Sequence, residues 1–143
     1  MKNQFCLQWK GSNYMVKNIL FIALGGSVGA VARYFTSVWF NTAFQAKGIF
    51  PYGTLAVNLI GCFIMGIVWE AGLVSTMAPA TRMFIAVGFL GAFTTFSSFA
   101  IETNNLFTDG QYKDVLINIL LNNVGCLVLV AAGIMLVKII KGV

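Results

Sequence analysis

The sequence predicts an all-α membrane protein with four transmembrane helices, and its composition leaves little room for another fold class. The chain has 143 residues, of which 59% are hydrophobic and only 9% are charged, whereas soluble domains carry about 25% charged residues. Nine Lys and Arg residues with four Asp and Glu residues cannot cover the surface of a soluble globule of this size. Because one transmembrane helix needs about 20 apolar residues, four of them leave only short loops and no extramembrane catalytic domain.

Four stretches with almost no charge are long enough to cross a membrane in succession. We place them at Asn18–Ala32, continuing past Arg33 to about Phe40, at Gly48–Trp69, at Met83–Ile101 and at Val115–Val137. The Lys and Arg residues that flank these stretches divide almost evenly between the two sides of the membrane, so the positive-inside rule fixes neither orientation. Residues 1–14 are polar and are expected to form a loose N-terminal extension before a membrane domain at 15–143.

The charged and thiol-bearing residues exclude several function classes. Basic residues punctuate apolar runs instead of forming a stripe, which argues against nucleic-acid binding. The chain has no His, and its acidic residues are scattered, so neither acid–base catalysis nor metal-dependent hydrolysis is expected and the protein is not predicted to be an enzyme. Without metal-binding spacing, the cysteines are expected to be free thiols; they are Cys6, Cys62 and Cys126.

Polar residues lie inside two of the predicted spans. Asn58 is in the middle of the second span, where its amide must find a partner because hydrocarbon offers none. That partner is either another helix or a water-accessible path. Asn118, Asn122 and Cys126 recur every four residues in the fourth span and therefore share one helix face. Such a polar stripe indicates a cavity or a pathway.

The third span is poor material for a continuous helix. Gly88–Phe99 contains two glycines and four hydroxyl residues, which favours a break, and backbone carbonyls freed at a break can coordinate a cation. Phe96 and Phe99 are three residues apart and share a face; simple packing or lipid contact also explains them. In the first span, Gly25 and Gly29 are four residues apart, which predicts close helix packing.

Three of these segments together resemble a known family. Gly25–Tyr34, Gly53–Gly61 and Gly88–Phe99 are similar, in this order, to the first-, second- and third-helix signatures of the Fluc/CrcB fluoride channels, and Glu102 follows at the family's spacing. The resemblance covers residues 15–137 and leaves the N-terminal extension outside it.

The resemblance implies an antiparallel, dual-topology homodimer with its two-fold axis in the membrane plane and two fluoride pores along the subunit interface. It places a pore-lining aromatic pair at Phe96 and Phe99, with the amide of Asn58 beside them. It places further pore residues at Thr95, Ser98, Asn118 and Asn122, with Arg33 near the aqueous vestibule. The backbone carbonyls of Gly91 and Thr94 would bind a structural sodium ion at the dimer centre, shared with the same two residues of the partner.

The expected function is passive fluoride export across the bacterial inner (plasma) membrane. Fluoride is small and strongly hydrated, so a pore must replace its water with amides, hydroxyls and electropositive ring edges. A formal positive charge at mid-membrane is costly and would retain the anion. The alternative is a small multidrug-resistance-type cation exporter, which would need a carboxylate embedded in the membrane; Glu70 and Glu102 instead lie at predicted span ends.

Overall fold

The computed structural model describes residues 12–44, 49–74 and 77–142. Within these ranges, four helical stretches are long and apolar enough to cross a membrane, with mean hydropathies of 1.7 to 2.3. They are Tyr14–Phe44, Tyr52–Gly72, Pro79–Thr108 and Tyr112–Lys141. The prediction of an all-helical, four-span membrane protein is therefore confirmed. Of the predicted N-terminal extension, residues 1–11 lie outside the described residues, and Ser12 begins the first helix.

The first two spans are single helices, and the other two are composite. Helix α1 is Ser12–Phe44 and α2 is Tyr52–Val74. Helix α3 runs without interruption through Pro79–Arg82, a π-helical stretch at Met83–Leu90 and a last turn at Gly91–Phe93. Helix α4 is Phe96–Thr108. Helix α5 runs through Tyr112–Leu120, a π-helical stretch at Leu121–Gly125, and Cys126–Lys141.

Local sequence explains several helix boundaries. Pro79 occupies the first position of α3, where a missing backbone N–H costs nothing and the fixed φ suits a helix. Gly110 connects α4 to α5 with φ of 74°, a left-handed conformation that glycine adopts without steric cost. Gly142 takes φ of 68° and ends α5 in the same way. The tight turn at Gly110 makes α5 run antiparallel to α4.

Glycines let α1 lie directly against α3. A Cβ atom on Gly25 would clash with the carbonyl of Phe84, one on Gly29 with the carbonyl of Phe89, and one on Gly88 with the carbonyl of Ile22. Two backbones can approach this closely only where no side chain separates them. The predicted packing role of Gly25 and Gly29 agrees with this contact.

A second glycine contact joins α2 to α5. A Cβ on Gly66 would meet the carbonyl of Val130, and one on Gly133 would meet the carbonyl of Phe63. The backbones of α2 and α5 therefore pack directly against each other over about one helical turn, with no large side chains between them. The small core that results is centred on Val57, Leu90 and Leu106, whose side chains are almost completely buried. Most other large apolar side chains face outward, as expected of a protein solvated by lipid.

Candidate functional site

The third span is interrupted at two threonines. Helix α3 ends at Phe93, and Thr94 and Thr95 adopt extended conformations, with φ and ψ of −77° and 154° and of −149° and 118°. Helix α4 then starts at Phe96, and the Oγ1 of Thr95 accepts a 3.2 Å hydrogen bond from the backbone N–H of Ser98. A threonine hydroxyl in this N-cap position satisfies one of the free donors at the start of a helix.

The side chain of Asn58 replaces the backbone partners that Thr95 loses. The Oδ1 of Asn58 accepts a hydrogen bond from the N–H of Thr95 at 2.8 Å, and its Nδ2 donates to the carbonyl of Thr95 at 3.1 Å. Asn58 and Thr95 are both buried. One amide from α2 thus supports the non-helical backbone between α3 and α4, as irregular backbone at membrane depth requires.

The two hydrogen bonds between the side chain of Asn58 and the backbone of Thr95, called the Asn58 clamp below, leave the carbonyl of Gly91 without its usual helical donor. In a continuous α-helix the N–H of Thr95 would donate to the carbonyl four residues earlier, which belongs to Gly91. Here that N–H donates to Asn58 instead. The space beside the Cα of Gly91 is open, since the nearest atom to a Cβ built there is the carbonyl oxygen of Ala86 at 3.9 Å. The end of α3 therefore carries a carbonyl that its own helix does not use.

From Asn58 a chain of hydrogen bonds continues along α5 and back to α4. The Nδ2 of Asn58 donates to the Oδ1 of Asn122 at 2.9 Å, and the Nδ2 of Asn122 donates to the Oδ1 of Asn118 at 2.8 Å. Asn118 then donates to the Oγ1 of Thr103 at 2.9 Å, and Thr103 donates to the carbonyl of Phe99 at 2.6 Å. Three side-chain amides in series form a polar path through an otherwise apolar bundle.

A cavity of about 180 Å³ opens beside this chain. The residues that line it are Asn58, Cys62, Thr94, Thr95, Phe96, Phe99, Asn122, Asn123 and Cys126. The rings of Phe96 and Phe99 lie 5.3 Å apart with an interplanar angle of 58°. Phe99 is 7% exposed and Phe96 is 74% exposed, so one ring belongs to the core while the other projects from the chain.

Hydroxyl groups gather at the start of α4. The Oγ1 of Thr95 donates to the Oγ of Ser98 at 3.1 Å and lies 3.2 Å from the Oγ of Ser97. Hydroxyl hydrogens rotate freely to suit their partners. The cluster can therefore turn donors toward an anion or lone pairs toward a cation without any movement of the backbone.

Most of the predicted pore residues meet around this cavity, and one does not. Asn58, the two phenylalanines, Thr95 and Asn122 line it, while Ser98 and Asn118 join it through the hydrogen bonds described above. Arg33 lies on α1, one turn beyond Gly29, and is absent from the lining. Because α1 continues to Phe44, Arg33 is far from the end of its helix.

The residues that sequence reasoning missed are those whose partners lie on other helices. Thr103 bridges Asn118 to α4, and its position one turn beyond Phe99 was a usable signal. Thr54 donates a 2.8 Å hydrogen bond to the Oε1 of Glu102. The other carboxylate oxygen of Glu102 is buried without a hydrogen-bond partner among the described residues. Because Thr54 lies in the first turn of α2, this carboxylate is at one end of the bundle.

The fold and the site define a class: a multi-pass membrane protein with a hydrogen-bonded amide path beside an aromatic pair. The model of the family described as CrcB-like protein, Camphor Resistance (CrcB), matches residues 20–134. The chain belongs to the CrcB family, which confirms the resemblance found in the three sequence motifs.

Individual relatives cover most of this chain. A protein of Shewanella denitrificans named "Fluoride-specific ion channel FluC" is 48% identical over 120 residues, which is 84% of this chain and 95% of the relative. A protein of Shewanella woodyi with the same name is 45% identical over 122 residues, covering 85% of this chain and 97% of the relative. The family match at residues 20–134 contains every residue of the amide chain and of the cavity.

Proposed function

We propose that this protein is a fluoride-selective channel that lowers cytoplasmic fluoride by passive export. The observation that carries the proposal is the buried amide chain from Asn58 through Asn122 to Asn118, which runs beside a cavity with two phenylalanine rings. Relatives of the same family that are 43–48% identical carry the name of a fluoride-specific channel, which supports the choice of anion.

The chemistry of the lining suits fluoride. The residues around the cavity offer amide and hydroxyl hydrogens and aromatic rings, and none of them carries a formal charge. Neutral donors and positive ring edges can replace the water around a small anion without the strong retention that a lysine would cause. Both amide hydrogens of Asn58 already donate hydrogen bonds. Fluoride therefore passes by accepting the hydrogen bond that Asn58 donates to Asn122, and the bond to Asn122 forms again once the ion has moved on.

The cation-exporter alternative lacks its essential group at the cavity. Proton-coupled export of a cation needs a carboxylate within the membrane. Glu102 is held at the start of α2 by Thr54, and neither Glu102 nor Glu70 lines the cavity around Asn58. A passive anion path fits this arrangement better.

The functional unit is an antiparallel homodimer in which each subunit inserts in the opposite orientation. Two observations support it. Phe96 lines the cavity and 74% of its side chain is exposed, so that a second copy is needed to seal the path from lipid. The space around Gly91 is also open, which leaves room for the same turn of a partner.

A structural sodium ion at the dimer centre fits the same turn. The N–H of Thr95 is diverted to Asn58, which frees the carbonyl of Gly91, and the extended backbone of Thr94 takes its carbonyl out of the helical pattern. Two such neutral oxygens from each of two chains suit a monovalent hard cation better than a divalent one. This ion would tie the two interrupted helices together and would not be transported.

The membrane is the bacterial inner membrane, and export needs no coupled gradient. Fluoride enters cells as neutral HF from acid surroundings and dissociates inside, and the negative interior then drives the anion outward. The test is fluoride efflux from liposomes with a fluoride-selective electrode, using valinomycin to carry the compensating potassium and a protonophore to remove any proton gradient. Fast efflux that the protonophore leaves unchanged is expected; efflux that requires a proton gradient would overturn the proposal.

A further inference from the structure

Two cysteines from different helices face each other at the cavity. Cys62 on α2 and Cys126 on α5 are both free thiols, and both line the cavity beside Asn58. The sequence alone separates them by 64 positions (126 − 62) and gives no reason to pair them.

The packing of α2 on α5 explains why they meet. One turn before the cysteines, Asn58 donates a hydrogen bond to Asn122 at 2.9 Å. One turn after them, the backbone at Gly66 lies against the carbonyl of Val130. Each of these pairs is separated by the same 64 positions (122 − 58 and 130 − 66). Because residues four apart lie above one another on a helix face, the intervening pair must also face across the interface.

We infer that Cys62 and Cys126 form a two-thiol binding site for a soft divalent metal cation, and that its occupation blocks the fluoride path. Thiolate sulfur is the ligand that soft cations prefer, and the thiolate is the form that binds. The site offers two sulfurs and no third cysteine or histidine ligand among the described residues. It therefore fits a cation that accepts two-coordinate geometry, of which Hg²⁺ is the appropriate probe.

The charge of the product favours a divalent cation. Binding breaks two S–H bonds, forms two S–Hg bonds and releases two protons to water, with no change in oxidation state. The product is a neutral Hg(S-Cys)₂ unit. A monovalent soft cation such as Ag⁺ would leave a net negative charge with the same two thiolates, and an uncompensated charge away from water is costly.

Occupation of this site should interrupt conduction. The metal would join α2 to α5 one turn from the bond between Asn58 and Asn122 and would occupy part of a cavity of only about 180 Å³. The flux consequence rests on the proposed channel function, whereas metal binding does not. The two claims can therefore be tested separately on one preparation.

The experiment uses the full chain with Cys6→Ser, so that only the two cavity thiols remain, and compares it with Cys62→Ser, Cys126→Ser and the double variant in that background. Fluoride efflux is recorded before and after addition of Hg²⁺ together with an excess of a monothiol competitor. Each variant's block is normalised to its own metal-free efflux. Metal binding is followed independently by sulfur-to-mercury charge-transfer absorbance and by thiol titration after denaturation.

The two-thiol site predicts one Hg²⁺ per chain and the loss of both titratable thiols. Each single-serine variant should need at least about tenfold more Hg²⁺ for half-maximal block, because the second sulfur binds at a high effective concentration. The double variant should not respond. Single variants that bind and block like the parent, or a stoichiometry of two ions per chain, would overturn the inference. Metal binding without block would overturn the flux claim, and absent efflux before metal addition would count against the channel proposal instead.

Discussion

Asn58→Asp is the substitution that most sharply tests how the site is built. It preserves the shape of the side chain and the oxygen that accepts from the N–H of Thr95. It replaces the Nδ2 group by an oxygen, which then lies against the carbonyl of Thr95 and the Oδ1 of Asn122, at contacts now 3.1 and 2.9 Å long. Two favourable contacts between the break and the amide chain become repulsive.

The loss can be scaled from these contacts. A buried acceptor left without its donor costs about 1–3 kcal/mol, so two of them give about 2–6 kcal/mol, and interhelical bonds in membranes lie at the low end of such values. About 2 kcal/mol of lost stability corresponds to an about 30-fold decrease in the equilibrium constant for folding, at 1.4 kcal/mol for each tenfold change. The negative charge would repel fluoride in addition, so Asn58→Asp should abolish measurable efflux.

The assay is fluoride efflux from liposomes at matched protein content, with thermal unfolding in detergent to measure the cost of the broken clamp. Asn58→Ser should be milder, because one hydroxyl can still donate to one of the two acceptors. Asn104→Asp is the matched control, since that amide is exposed on α4 and outside the cavity lining. If Asn58→Asp conducts and unfolds like the parent, Asn58 neither supports the break nor lines the path.

Three further predictions test the aromatic pair, the glycine contact and the open turn. Phe96→Ile and Phe99→Ile should both depress fluoride efflux, because an aliphatic group keeps bulk but loses the ring edge. Only Phe99→Ile should also lower the melting temperature, since only that ring is buried. Unchanged efflux in both variants would mean that the two phenylalanines are packing residues. Gly29→Ala should lower the melting temperature by several degrees, because its Cβ meets the carbonyl of Phe89. Gly26→Ala should not lower it, because the nearest atom to its Cβ is the carbonyl oxygen of Gly88 at 4.0 Å. Equal melting temperatures of the two variants would contradict the close contact of α1 and α3. Gly91→Val should leave the helical circular dichroism intact but weaken the dimer, as measured by crosslinking in sodium, because it adds a β-branched side chain beside the carbonyl of Gly91. Thr94→Val should be gentler because the new side chain has nearly the same shape as the old one. A stable Gly91→Val dimer would remove this turn from the interface.

The sequence is sufficient to predict the parts of the structure that depend on local chemistry. Long apolar runs locate four spans because hydrocarbon requires internally bonded backbone. The extended residues Thr94 and Thr95 lie inside the stretch that glycines and hydroxyl residues make poor for a helix. The common face of Asn118 and Asn122 follows from their spacing, and both amides are indeed buried in one chain of hydrogen bonds.

What the sequence does not contain is the register between helices. Of the two explanations open for Asn58, the structure shows the bond to another helix, because its amide bonds to Asn122. Asn58 also lines the cavity, and its place on a path stays a prediction. The hydrogen bonds between Asn58 and the backbone of Thr95 depend on how α2 packs beside the break. The same register of α2 against α5 pairs Cys62 with Cys126.

The most direct test of the central claim is the relative efflux of fluoride and chloride from liposomes that contain both ions and the purified protein. The account predicts rapid loss of fluoride and negligible loss of chloride, because the neutral amide and hydroxyl donors around the cavity replace the hydration of the small anion, whereas a narrow, rigid path excludes the larger one. Comparable loss of the two ions would contradict it.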